Sequence, residues 1–250
     1  RSVGGDLNTA NVAVGLANTT ILLEGLEDYN NNQADDTNWY FAAKNPGHWS
    51  ENIKVAIIDN AADQVITPTL ETGTIAATKV GFGVTQALTG VTVGVGTTAA
   101  ATGILKGVVT GKTATTIDVK VVSTVIGGSE KLVDYQQNSQ FEFKTGTMLN
   151  IVNNSGTTVG KSSTITSVDW YNQQNILTSV ADGGSDFTTL KWRAVLNKPK
   201  TNNYVTRRDG TNDALHVVVI DAGGGVTGDV GSILEKFANL SKAKDGVASG

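Results

Sequence analysis

Hydrophobic and polar positions along the chain fall into short runs rather than long helical stripes. Val12, Val14 and Leu16 alternate with smaller or polar neighbours, and Thr20 to Leu23 follows; both read as strand-like segments behind a flexible lead over residues 1–10. "LEDYNNNQADDTN" is polar and turn-rich, which predicts an exposed loop, and "WYFAAK" brings a second apolar run. In "NPGHWSENIKV", Pro46 and Gly47 suit the two central positions of a type II turn, because proline presets φ and glycine accepts a positive φ. Beyond it, Ile53, Val55 and Ile57 alternate with Asn52, Lys54 and Ala56. This predicts a strand with one buried face, and Trp49 stands where its ring can cap that face.

Residues 65–126 are rich in Val, Thr, Gly and Ala. "VTVGVG", "GILKGVVTG" and "TTIDVKVVST" read as short strands parted by glycine turns at a spacing of roughly 10 residues, the pattern of a small antiparallel barrel or sandwich. Phe141, Phe143, Met148, Leu149, Ile151 and Val152 continue it. The pattern then changes. "SVDWYNQQNIL" predicts a short helix capped by Ser167, with Asp169 in its first turn. "FTTLKWRAVL" alternates Leu190, Trp192, Ala194 and Leu196 and predicts a strand stopped by Pro199. "ALHVVVID" is apolar and β-branched enough for a strand buried on both faces. "AGGGVTGD" is a turn, and "SILEKFANLS" fits either a helix or the return strand of a hairpin. The expected fold class is therefore α+β and β-rich. A mixed α/β domain from residues 1–66 and 166–250 carries an inserted antiparallel β-barrel or sandwich over 67–165.

Composition narrows the function classes. Charged residues make up 17% of the 250, against about 25% in an ordinary domain, so the surface relies on Thr, Asn, Ser and Gly. The net charge is −4, and the densest basic group (Lys198, Lys200, Arg207, Arg208) is interrupted by Pro199 and polar residues. Nucleic-acid binding has little electrostatic support from such a chain. With no cysteine, disulfides, thiolate chemistry and cysteine-based metal sites are excluded. No run approaches the ~18 apolar residues of a membrane span, so no membrane insertion is expected. No signal peptide is visible, and an opening Arg1 suggests a processed or partial product.

The candidate chemistry is thin. His48, Ser50 and Glu51 lie on one extended stretch, where neighbouring side chains point to opposite faces and cannot converge. "GVVTGKT" (Gly107 to Thr113) and "GTTVGKS" (Gly156 to Ser162) each fall one residue short of a P-loop and lead into strand-like sequence, so both read as glycine turns with an exposed lysine. "DAGGGVTGD" lacks the alternating ligands of a calcium loop. His216 is expected to hydrogen-bond at the mouth of a buried strand. The Asn18, Asn153 and Asn239 sequons match a pattern common by chance. No catalytic, cofactor-binding or metal site is expected, and no enzymatic activity.

A family resemblance enters here. "FAAKNPGHWSENIKVAI", "DWYNQQ", "LKWRAVLNKP", "YVTRRDGTNDALHVVVID" and "GVTGDVGSILEKFANLSKAKDG" resemble, in that order, segments of contractile phage tail sheath proteins. The likeness covers residues 35–66 and 165–246; over 67–165 such proteins carry a variable, protruding β-rich insertion. It implies the outer and middle part of a structural subunit, stacked in rings of six as a helical tube around the tail tube. Contraction of that tube drives the tail tube through the host envelope without a cofactor, on free energy stored in two packings of one subunit. The implied partners are other sheath subunits, the tail tube protein, and the baseplate and tail terminator proteins. The implied location is the virion tail, assembled in the host bacterial cytoplasm. The chain ends short of the family's C-terminal region and offers no obvious large apolar patch, so alone it is expected to be a monomer. The competing expectation is a β-rich surface module of a phage or bacterial adhesin that binds glycans. Over residues 67–150 it has only Phe82, Tyr135, Phe141 and Phe143 as aromatic platforms.

Overall fold

The computed structural model describes Glu27 and residues 52–91, 101–133, 135, 141–178 and 189–242. The turn at Pro46-Gly47, His48, Trp49, Asn18, the strands expected before residue 24 and most of "VTVGVG" lie outside these residues. The protein is β-rich and divides into two compact units. One is Ala61–Gln174; the other joins Arg1–Asn60 to Asn175–Gly250.

The Ala61–Gln174 unit holds a nine-stranded antiparallel sheet. Its strands are β2 (Gln64–Thr69), β3 (Thr72–Gly73), β4 (Gly83–Val91), β5 (Ala101–Lys112), β6 (Ile117–Ile126), β7 (Ser129–Leu132), β8 (Leu149–Val152), β9 (Thr158–Ser162) and β10 (Thr164–Asp169). The order is β10-β2-β6-β5-β4-β8-β9-β3, with β7 added alongside β6. Thr69 lies opposite Thr164 in one ladder and Thr72 opposite Lys161 in the other, so β2–β3 and β10–β9 run in a single continuous register. At the bend the Glu71 N–H donates to Lys161 O (2.8 Å), and Ser162 Oγ lies 2.7 Å from Thr69 O. The sheet thus curls round until it meets itself as a barrel. Closure leaves few strand edges to manage.

Alternation fills the barrel. Along β6, Ile117, Val119 and Val121 point inward, and they pack with Leu105, Phe143 and Leu149 in one core. The unit also takes in Gln64–Ile66 and Thr166–Asp169, which lie beyond the expected 67–165 boundaries, because Gln64 to Thr69 pairs along its whole length with Thr164 to Asp169. Three buried polar residues at Asp63, Gln64 and Gln86 complete the pairing where regular strands stop. Gln64 makes a strand-like pair with the backbone of Phe143, accepting its N–H at 2.9 Å and donating to its carbonyl at 3.2 Å. Gln86 accepts the Lys144 N–H and donates to the carbonyls of Lys144 and Thr147. The irregular segment 141–147 would otherwise bury backbone groups without partners. Asp63 does the same for β6: Oδ2 accepts the Val121 N–H at 2.8 Å, and Oδ1 meets Lys120 Nζ at 3.0 Å.

The helix expected from "SVDWYNQQNIL" is not formed. Ser167 and Asp169 finish strand β10, and only one short 3-10 turn follows, over Tyr171–Gln173. Ser167 spends its hydroxyl on the Gln64 amide, and Asp169 instead accepts the Asn172 N–H at the turn. Pairing with β2 outweighs the local capping signal.

In the other unit, β1 (Ile53–Asp59), β13 (Ala214–Asp221) and β14 (Ser232–Ser241) form a three-stranded antiparallel sheet in the order β1-β13-β14. The strand at 53–59 is as expected, but its buried face is the other one. Ala56 and Ile58 are buried, whereas Ile57 is 40% exposed. Register explains this: Ala56 lies opposite Val218 and Ile58 opposite His216, both on the buried side of the central strand. β13 alternates between buried Ala214, His216, Val218 and Ile220 and half-buried Leu215, Val217 and Val219. It is not buried on both faces. "SILEKFANLS" is the return strand β14.

"FTTLKWRAVL" also departs from expectation. Strand β12 (Leu190–Lys191) pairs with β11 (Asn175–Leu177), and the chain then turns into the short helix α1 (Trp192–Val195). A four-residue stretch satisfies either period, and the helical one lets Trp192 bury to 1% exposure. A second short helix, α2 (Asn203–Thr206), follows. These two are the α-helices of four or more residues among the described residues.

Candidate functional site

Several sequence motifs among the described residues have a structural use. Gly107 to Lys112 is part of β5, and Lys112 Nζ donates to the carbonyls of Ile75 and Ala76. Gly156 sits at φ +79 in the turn before β9, with Lys161 exposed on that strand. A phosphate cradle needs a helix N-terminus after the glycines, and neither stretch supplies one. Asn153 turns its Oδ1 onto the N–H groups of Ser155 and Thr157, and Asn239 Oδ1 accepts the Lys200 N–H. In the basic group, Arg208 stacks on the Tyr204 ring at 3.6 Å and donates to the Tyr204 carbonyl.

The loop between β13 and β14 is organised by one carboxylate. Asp221 Oδ2 accepts the N–H groups of Val226 (2.9 Å) and Thr227 (2.7 Å) and the Thr227 hydroxyl (2.9 Å). Oδ1 is buried without a hydrogen-bond partner. Burial works against the charge, but these bonds outweigh it and hold the carboxyl below the usual aspartate range. Asn52 lies against the loop, its carbonyl accepting the Ala222 N–H at 2.6 Å. A Cβ at position 223 would stand 1.9 Å from Asn52 Oδ1, so any larger residue there would displace the Asn52 side chain. Among the described residues, no three His, Cys, Asp or Glu side chains gather as metal ligands.

Asp213 anchors the opposite end of β13. It accepts from the Asn202 backbone N–H (2.9 Å), the Asn202 amide (2.7 Å) and the Ser241 hydroxyl (2.6 Å), tying α2 and β14 to the sheet. Burial again opposes the charge, and the hydrogen bonds again win, so its pKa is lowered. A depressed folded-state pKa contributes stability that is complete above the unfolded value, about 4, and is lost as pH falls through the lower folded one. Asp213→Asn should therefore flatten the acid limb of a stability–pH curve between roughly pH 5 and pH 2. An unchanged slope in urea titrations across that range would remove Asp213 from the acid response.

His216, expected at the mouth of a buried strand, is 1% exposed in the middle of the sheet. Its Nε2 lies 2.7 Å from the Asn197 carbonyl, and its Nδ1 accepts the Asn239 N–H at 2.9 Å. A carbonyl only accepts and an N–H only donates, so the ring is the neutral Nε2–H tautomer. It is not placed as a base, since neither nitrogen is open.

One surface feature was not foreseen. On the less buried side of the three-stranded sheet, register lines up Val55 with Val219, and Ile57 with Val217 and Phe237; Leu215 lies opposite Leu240. Ile57, Phe237 and Leu240 are 40%, 43% and 43% exposed. These side chains form a half-exposed apolar row on that side of the sheet. Its signal was the hydrophobic content of both alternating sets in β1 and β13, which a one-face reading assigns wholly to a core. No helix among the described residues is long and apolar enough to cross a membrane.

Comparison with protein-family models, curated proteins and solved structures finds no match to this chain.

Proposed function

We propose that this chain is a structural subunit of a contractile phage tail sheath. It works with other copies of itself around a tail tube, between baseplate and terminator proteins, in a virion tail assembled in the host cytoplasm. The observation that carries the reading is the order of the sheath-like segments together with their use. Three of the five sheath-like stretches supply β1, β13 and β14, which lie side by side in one sheet. That sheet presents the half-exposed row Ile57, Val217 and Phe237. Such a surface suits a subunit held by many repeated contacts, each of which can be weak while the array is stable. The intervening barrel has its own core and suits a separate, outward module. Work is done by repacking, so no catalytic group is called for.

Electron microscopy of the assembled protein tests the reading. Rings of six or tubes are expected. Separate particles that bind glycans on an array support the adhesin alternative instead.

A further inference from the structure

We propose that His216 is an acid-sensitive latch holding the edge strand β14 against β13. The inference rests on hydrogen bonds in the sheet and holds whether or not the chain is a sheath subunit. Between Leu215 and Val217 the β13–β14 ladder is irregular, and Asn239 adopts φ +55, a left-handed conformation uncommon for a residue other than glycine. The backbone N–H of Asn239 is thereby turned onto the imidazole, and Nδ1 accepts it at 2.9 Å. The other nitrogen is committed to the Asn197 carbonyl at 2.7 Å. The ring therefore bridges the segment after α1 and the edge strand, and it does so through one tautomer.

A proton on Nδ1 would set N–H against N–H at this contact. The latch then loses its bond and gains a repulsion inside a site that is 1% exposed. Docked β14 excludes the proton and released β14 admits it, so proton uptake accompanies release and lower pH favours it. Both printed partners of the ring are backbone groups, the Asn197 carbonyl and the Asn239 N–H. On β1, Ile58 lies directly opposite His216, and Lys54 shares its side of the sheet, with burial lowering the amine's pKa. On β14, Lys236 shares that side through its pairing with Val218, while Glu235 pairs with Val219 on the other. Lys198 follows Asn197 in the chain. Asp213 is engaged by Asn202 and Ser241, and the Asp59–Lys242 ion pair belongs to the opposite side of the sheet.

The test is backbone amide exchange by NMR on the whole protein at pH 7.5 and pH 5.0, corrected for the intrinsic pH dependence of exchange. Protection of the Asn239 amide should fall by about tenfold or more on acidification, with the barrel amides of β6 unchanged. His216→Asn, which offers an acceptor oxygen near the Nδ1 position and does not titrate, should show the same protection at both values. Equal protection in the parent at both pH values overturns the proposal, as does an acid loss that persists in His216→Asn. If that variant does not fold, imidazole nitrogen shifts of the parent decide. Proton uptake at His216 coinciding with the loss of Asn239 protection supports the latch. Uptake with Asn239 still protected, or loss without uptake, overturns it.

Discussion

Asp63→Ala should destabilise the barrel unit by about 3–5 kcal/mol, the usual consequence of removing one partner from a buried ion pair. The Asp63 side chain is fully buried and that of Lys120 is 12% exposed, so the lysine would keep its charge where water scarcely reaches. The Val121 N–H, paired to Asp63 Oδ2 at 2.8 Å, would lose its acceptor at the same time. A second variant separates the two effects. Asp63→Asn leaves an oxygen for Val121 but removes the negative charge 3.0 Å from Lys120 Nζ, and it should fall between the parent and Asp63→Ala. Urea unfolding followed by amide exchange on β6 gives both values. A loss below about 1 kcal/mol for Asp63→Ala would mean that water reaches the pair and that it behaves as a surface salt bridge.

Trp192→Ala should cost the other unit a similar amount, about 3–5 kcal/mol, as expected for a large aromatic removed from a closed site. The indole is 1% exposed, at the point where β12 passes into α1. Trp192→Phe keeps most of the ring volume and should lose markedly less. Denaturant midpoints read on the β13 amides test the pair of variants. Equal losses for Phe and Ala would point to a specific indole contact rather than volume as the source of stability.

Particular residues show why some of this was legible in the sequence and some was not. "GILKGVVTG" and "TTIDVKVVST" became β5 and β6 because β-branched alternation and glycine spacing are local signals. The choice of barrel over sandwich was not local. It depends on β2–β3 meeting β9–β10 across some ninety residues, as in the pairing of Thr69 with Thr164. Gln64 and Gln86 each close an irregular segment 79 or 58 residues away, a pairing that leaves no local signal. In "LKWRAVL" the alternation was real but too short to separate a strand from a helical turn, and burial of Trp192 decided it. In β1 both alternating sets are apolar at some positions, so only pairing with β13 assigns the buried face. His216 was expected at the mouth of its strand and lies within the sheet instead; its second partner, Asn239, is 23 residues on and comes into reach through an irregular ladder.

The claim that this chain is part of a contractile sheath is tested most directly by immunogold electron microscopy of particles carrying it, using antibody raised against the exposed faces of the 61–174 unit. The account predicts gold along the whole tail wall at a regular axial repeat, retained on a shorter and wider wall after contraction. Label confined to the tail tip, to fibres or to a cell surface would contradict it and assign the chain to the adhesin class.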